Sequence, residues 1–233
     1  MAHVVTKPDI VIQAVQSHRE EGNLDAAERA LCDSLKIHPD EFWHLLELGV
    51  LLTERERSDE ALLYLDRASK SVPADGRGAL ALALACKAAG SQERFREILR
   101  AASESDDLTC RSFAYLERGL DAIARGENDE GAEHLIRALE ADPELAETPG
   151  RLEYIKLSPE CLRRCQERLK QTVERGYGSK NVYSSLASLA LQAGETGEST
   201  SWVQRAAETI SVKVPRRYRN PRAMTPRLSL SVR

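Results

Sequence analysis

The chain has 233 residues, 42% of them hydrophobic and 30% charged, a balance that suits a folded, water-soluble core and excludes a disordered or fibrous polypeptide. Gly and Pro number only 13 and 9, and Ala, Leu, Glu and Arg recur throughout, so the composition favours helices over strands. The formal charge of −4 is uneven: residues 213–233 carry seven basic side chains and no acidic ones, which leaves −11 on residues 1–212.

In chain order, the N-terminal stretch Met1–Asp9 lacks a basic segment followed by an apolar run, so no signal peptide is expected. No later run approaches the roughly 18 apolar residues that span a bilayer. From about residue 8 the chain alternates apolar residues three and four apart with short turn signals. The turn signals are Gly22-Asn23, Ser58-Asp59, Gly90-Ser91, Gly126-Glu127-Asn128 and Gly194-Glu195, with Ser158-Pro159 as a further helix start. These predict helix pairs near 8–41, 42–75, 76–109, 112–145, 146–179 and 180–212. The fifth pair holds Pro149-Gly150 where its first helix should form, so that helix is expected to be short or displaced. Residues 213–233, with three prolines, read as an irregular basic tail.

The pairs repeat. Leu31, Leu65, Leu99, Leu135, Leu169 and Val203 are separated by 34, 34, 36, 34 and 34 residues. Gly22, Gly90, Gly126 and Gly194 hold the same register, with Glu56 and Glu160 at the two skipped places. Mostly small residues recur as Ser34, Ala68, Ala102, Ala138, Thr172 and Ala206, and a two-residue insertion near Cys110 accounts for the longer step. Within 42–75, Leu48-Gly49, Leu52, Ala61, Leu65, Ala68 and Pro73 follow a signature that resembles the tetratricopeptide repeat. Gly22, Ala27, Leu31 and Pro39 follow it in the first unit, and Gly119, Gly126, Leu135, Ala138 and Pro143 in the fourth. The resemblance spans roughly residues 8–212 and implies an all-α superhelical solenoid of about six helix-turn-helix units.

In that family the first helix of each pair faces a concave groove, where partner polypeptides bind. The resemblance places Trp43, Leu46, Glu47, Val50 and Glu54 there in the second unit, and Arg77, Leu80, Leu84 and Lys87 in the third. Ile12, Gln13 and Gln16 fall there in the first unit, and Phe113, Leu116, Glu117, Leu120 and Ile123 in the fourth. The sixth unit offers the polar set Asn181, Ser184, Ser185 and Ser188. The expected partner site is therefore Trp43, Leu46, Val50, Arg77, Leu80, Leu84, Phe113, Leu116 and Leu120, fitted to an apolar peptide or amphipathic helix. Relatives that clamp an acidic C-terminus use Lys, Asn and Arg on this face; here the places hold Ile12, Gln16, Glu47, Arg77 and Ala81, which disfavours that partner. Alternatively, a terminal segment of the same or a neighbouring chain fills the groove, His3-Val4-Val5 or the tail, making a self-assembling structural protein. In the tail, Arg216, Arg217, Arg219 and Arg222 are candidate contacts to anionic groups, although the acidic body argues against nucleic acid.

No phosphate-binding Gly-rich loop or nucleophile elbow is present, so neither cofactor nor catalysis is expected. Cys161 and Cys165 share a helix face, but no further Cys or His completes a metal set, and the five cysteines lack a disulfide framework. His38 and His44 flank a helix junction and read as surface residues. The reading from sequence is a cytoplasmic, non-enzymatic scaffold or adaptor.

Overall fold

The computed structural model describes residues 7–73, 76–145 and 147–209. All regular structure among the described residues is helical. The first pair is α1 (Lys7–Glu20) and α2 (Leu24–Ile37), and the second is α3 (Phe42–Glu54) and α4 (Ser58–Ala68). The third is α5 (Arg77–Ala88) and α6 (Gln92–Ala102), and the fourth is α7 (Leu108–Ala124) and α8 (Asn128–Ala141). The fifth is α9 (Glu147–Glu153) and α10 (Pro159–Glu174), and the sixth is α11 (Lys180–Gln192) and α12 (Thr196–Glu208). The described residues form two compact units, one ending at Ile98 and the other beginning at Leu99. The basic tail and His3-Val4-Val5 lie outside the described residues.

The first unit is built on successive contacts α1–α2, α2–α3, α3–α4 and α4–α5, while the first helices touch along α1–α3 and α3–α5. Its core buries Val15, Leu31, Leu45, Leu48, Leu52, Leu65 and Leu82, the large residues of the repeating pattern. The second unit buries Leu135, Leu139, Leu152, Leu162, Leu169, Leu186 and Leu189. Helix α9 has seven residues and packs on α8 and α11, so the fifth pair keeps its place although its first helix is half the usual length. The insertion near Cys110 is absorbed in α7, which at 17 residues is the longest helix and starts from an Asp107 cap.

The turns follow their chemistry. Asn23 Oδ1 accepts from Ala26 N at 3.1 Å, and Ser158 Oγ accepts from Cys161 N at 3.2 Å, each satisfying a free amide at a helix start. Gly22, Gly90, Gly126 and Gly194 all adopt positive φ. At the equivalent place Glu56 is forced to φ +60°, a left-handed conformation that disfavours a side chain. Glu56→Gly is therefore expected to stabilise the fold by about 1 kcal/mol, read as a higher urea midpoint at unchanged m-value. Glu160 behaves differently: it lies in the first turn of α10, because the fifth pair turns at Ser158.

Successive helix pairs are stitched to one another by ion pairs about one repeat apart. Glu28 on α2 accepts from Arg55 and Arg57 at 2.6 and 2.8 Å, and Asp66 on α4 pairs with Arg94 on α6 at 2.6 Å. In the second unit Glu140 on α8 accepts from Arg168 on α10 at 2.9 Å, and Lys170 on α10 reaches Glu198 on α12 at 3.0 Å.

Candidate protein-binding faces

Helix α3 begins at an extended Glu41 and carries Trp43, Leu46, Glu47 and Val50 at helical spacing, which puts them along one stripe. Trp43 is half-buried, with its ring edge-on to Phe42 at 5.0 Å. Leu46 and Val50 are 3% and 5% exposed and belong to the first core. On α5, Leu80 is buried, Leu84 is half-buried and Arg77 is exposed. On α7, Leu116 is buried in the second core, and Phe113 and Leu120 are partly exposed against it. Of the nine candidates, Trp43, Arg77, Leu84, Phe113 and Leu120 keep surface in the folded chain, while Leu46, Val50, Leu80 and Leu116 lie beneath. Trp43, Leu46, Val50, Arg77, Leu80 and Leu84 belong to one compact unit, and Phe113, Leu116 and Leu120 to the other.

Polar residues of the α3 stripe meet α1. Arg19 donates to Glu47 Oε2 at 3.3 Å and also pairs with Glu54, so two carboxylates share one guanidinium. Burial pushes the Glu47 carboxyl up to about 7; Arg19 opposes that shift and Glu54 adds to it. Burial likewise raises Glu54. Arg19 escaped the sequence reading because its partners lie 28 and 35 residues away, and only the α1–α3 contact brings them together. The sixth-unit residues Asn181, Ser184 and Ser188 are half-buried and Ser185 is buried.

His44 corrects an expectation. It is fully buried, and its Nδ1 sits 3.0 Å from Ser34 Oγ across the α2–α3 junction, whereas His38 is exposed as expected. Cys161 and Cys165 lie with sulfurs 3.7 Å apart, both buried and free. The hydrogen bond from Cys165 holds the Cys161 thiol below its ordinary range, and the same bond, with burial, pushes Cys165 up. No group of three or more His, Cys, Asp or Glu among the described residues could hold a metal ion. No described helix is long and apolar enough to cross a membrane.

Residues 12–75, which include α2, α3 and α4 with their turns, match the tetratricopeptide repeat family. Residues 12–75 carry the tetratricopeptide repeat. Among solved structures, one of MamA shares 18% identity over 83% of this chain and 92% of its own, at a TM-score of 0.47. A second MamA structure shares 18% over 85% and 89%, at 0.49. A tetratricopeptide repeat protein from Parabacteroides merdae ATCC 43184 shares 14% over 87% and 80%, at 0.47. No curated protein shows significant similarity to the chain. Beyond residue 75 helix pairs continue, with Gly119, Leu135 and Ala138 in α7 and α8 buried as Gly49, Leu65 and Ala68 are in α3 and α4.

Proposed function

We propose that the protein is a scaffold or adaptor whose repeats bind an apolar peptide or amphipathic helix of another polypeptide on their first-helix face. The observation that carries this reading is that Trp43 and Leu84, on first helices that touch each other, keep apolar surface above a packed layer of Leu46, Val50 and Leu80. A large aromatic held over a rigid floor loses little entropy on binding, and such residues supply most of the energy of an interface. Phe113 and Leu120 offer a comparable surface over Leu116 in the second unit. The tetratricopeptide match across residues 12–75 covers Trp43 and supports a binding role without catalysis. Arg216, Arg217, Arg219 and Arg222 would add contacts to acidic groups of a partner, and a cytoplasmic setting suits five cysteines that lack a disulfide framework.

The test is an affinity pull-down with mass spectrometry, comparing wild type with Trp43→Ser plus Leu84→Glu. Both positions are half-exposed, so helical content should persist. A partner held by wild type and weakened more than about tenfold in the variant is the expected result. Equal retention by both proteins, or no partner, would sink it. Concentration-dependent oligomers of wild type, lost in the variant, would instead identify a second copy as the occupant.

A further inference from the structure

Among the described residues, positive charge accumulates around Tyr115. Tyr115 of α7 packs against the second core, and two guanidinium groups lie over its ring. The Arg118 carbon is 5.7 Å from the ring centroid and the Arg137 carbon, from α8, is 5.6 Å away. Arg118 donates to Ser103 Oγ at 2.8 Å, which fixes the guanidinium at the end of α6. Arg100 adds a third positive charge close enough to act on Arg118. None of these three arginines lies within ion-pair distance of a carboxylate among the described residues.

The acids that face the cluster do not neutralise it. Glu133 is engaged by Arg164, and the nearby Arg125 is taken by Asp121 and Glu127. That leaves Glu130, whose Oε1 lies 3.4 Å from His134 Nε2, against three arginines. The buried His134 ring stacks on Tyr115 at 5.8 Å, with its Nδ1 lacking any hydrogen-bond partner. Like charges pressed together at a half-buried site cost stability, and elsewhere in this chain arginines at repeat junctions are paired with Glu or Asp. A bound anion would relieve that repulsion and accept from both guanidinium groups.

We propose that Arg118 and Arg137, with Arg100 at the edge, form a binding site for a phosphate dianion. The surplus of two positive charges matches a dianion better than a single carboxylate, and two planar forks can each offer paired N–H groups to phosphate oxygens. Tyr115 and Ser103 hold Arg118, and Tyr115 holds Arg137, so part of the freedom of both forks is already lost. The site uses neither Trp43 nor Leu84 and stands independently of the peptide-binding reading.

The test uses the full chain and NMR of the Arg side-chain Nε–H groups and of His134, in inorganic phosphate and in chloride at equal ionic strength. Phosphate should shift the Arg118 and Arg137 signals saturably and raise the pKa of His134, which burial and these two arginines hold down to about 4. Arg118→Gln plus Arg137→Gln should weaken binding at least tenfold, the loss of about two charge-assisted hydrogen bonds, with no fall in melting temperature. Arg118→Lys plus Arg137→Lys keeps the charge without the forks, and should also bind at least tenfold more weakly than wild type. A response equal in chloride, or one retained by the folded Gln variant, would overturn the proposal. If the Gln variant does not fold, undiminished binding by the Lys variant would overturn it. A phosphoserine peptide compared with its unphosphorylated form and with inorganic phosphate then identifies the source: tighter binding of the phosphopeptide marks a partner polypeptide, and equal binding marks free phosphate.

Discussion

Gly131→Leu is expected to destabilise the second unit by about 3 kcal/mol or more, the largest effect of any single substitution considered for this fold. Helices α7 and α8 cross at two glycines. A Cβ on Gly131 would stand 2.5 Å from Ile123 Cγ1 and 3.0 Å from the Gly119 carbonyl oxygen. A Cβ on Gly119 would in turn stand 3.0 Å from the Gly131 carbonyl and 2.9 Å from Leu135 Cδ2. Side chains can rotate away, but a backbone carbonyl can retreat only if the helices separate, and that would open the core around Leu116 and Leu135. Glycine inside a helix costs about 1 kcal/mol relative to alanine, so Gly131→Ala recovers part of its own penalty and should lose less than the leucine variant. Gly49 provides the comparison: its added Cβ meets Leu65 Cδ2 at 2.6 Å, but the nearest backbone atom is 3.4 Å away. Gly49→Ala should therefore be milder than Gly131→Ala. Urea unfolding followed by circular dichroism measures all three, and a Gly131→Leu protein as stable as wild type would mean that the helices do not cross this closely.

The second large effect is a dependence of stability on pH governed by Glu47. Its carboxyl is 3% exposed and shares Arg19 with Glu54, and its pKa lies near 7 rather than at the ordinary 4.5. The folded state therefore holds a proton that the unfolded chain releases between about pH 4.5 and 7. Where the folded state binds more protons, stability falls as pH rises, so the loss develops across that window and levels off above it. Its upper limit is about 3 kcal/mol, set by one carboxyl displaced from its unfolded value. Glu47→Gln should flatten the profile and be more stable than wild type at pH 8, while matching it near pH 4. Arg19→Gln should do the reverse, removing the cation that moderates the shift. An unchanged profile in Glu47→Gln would show that the carboxylate is hydrated and not buried against α1.

The repeat was legible because its physics is local. A large residue every 34 positions and a turn residue before each second helix fix the helix pairs, and a short α9 follows from Pro149-Gly150. Depth was not. Leu46, Leu80 and Leu116 share one repeat position and are 3%, 5% and 0% exposed, because neighbouring helices close over them. His44 was misplaced for a related reason: its partner Ser34 comes from the preceding helix pair, and polarity alone says nothing about such a partner. The Arg19–Glu47–Glu54 cluster and the Arg137 guanidinium beside Tyr115 also depend on residues from separate helices, and no spacing rule within one helix reports them.

The ion pairs between successive helix pairs have a consequence for how such a chain can change over generations. Glu28 and Arg57 are 29 residues apart, while Asp66 and Arg94, Glu140 and Arg168, and Lys170 and Glu198 are each 28 apart. The pairs nevertheless start from three different positions of the repeating unit, and Asp66 and Lys170, which share a position, carry opposite signs. A duplicated unit would therefore meet its neighbour without a ready-made partner for its charges. The number of units can change only together with new residues at the joint, which ties the length of the chain to the identity of its junctions.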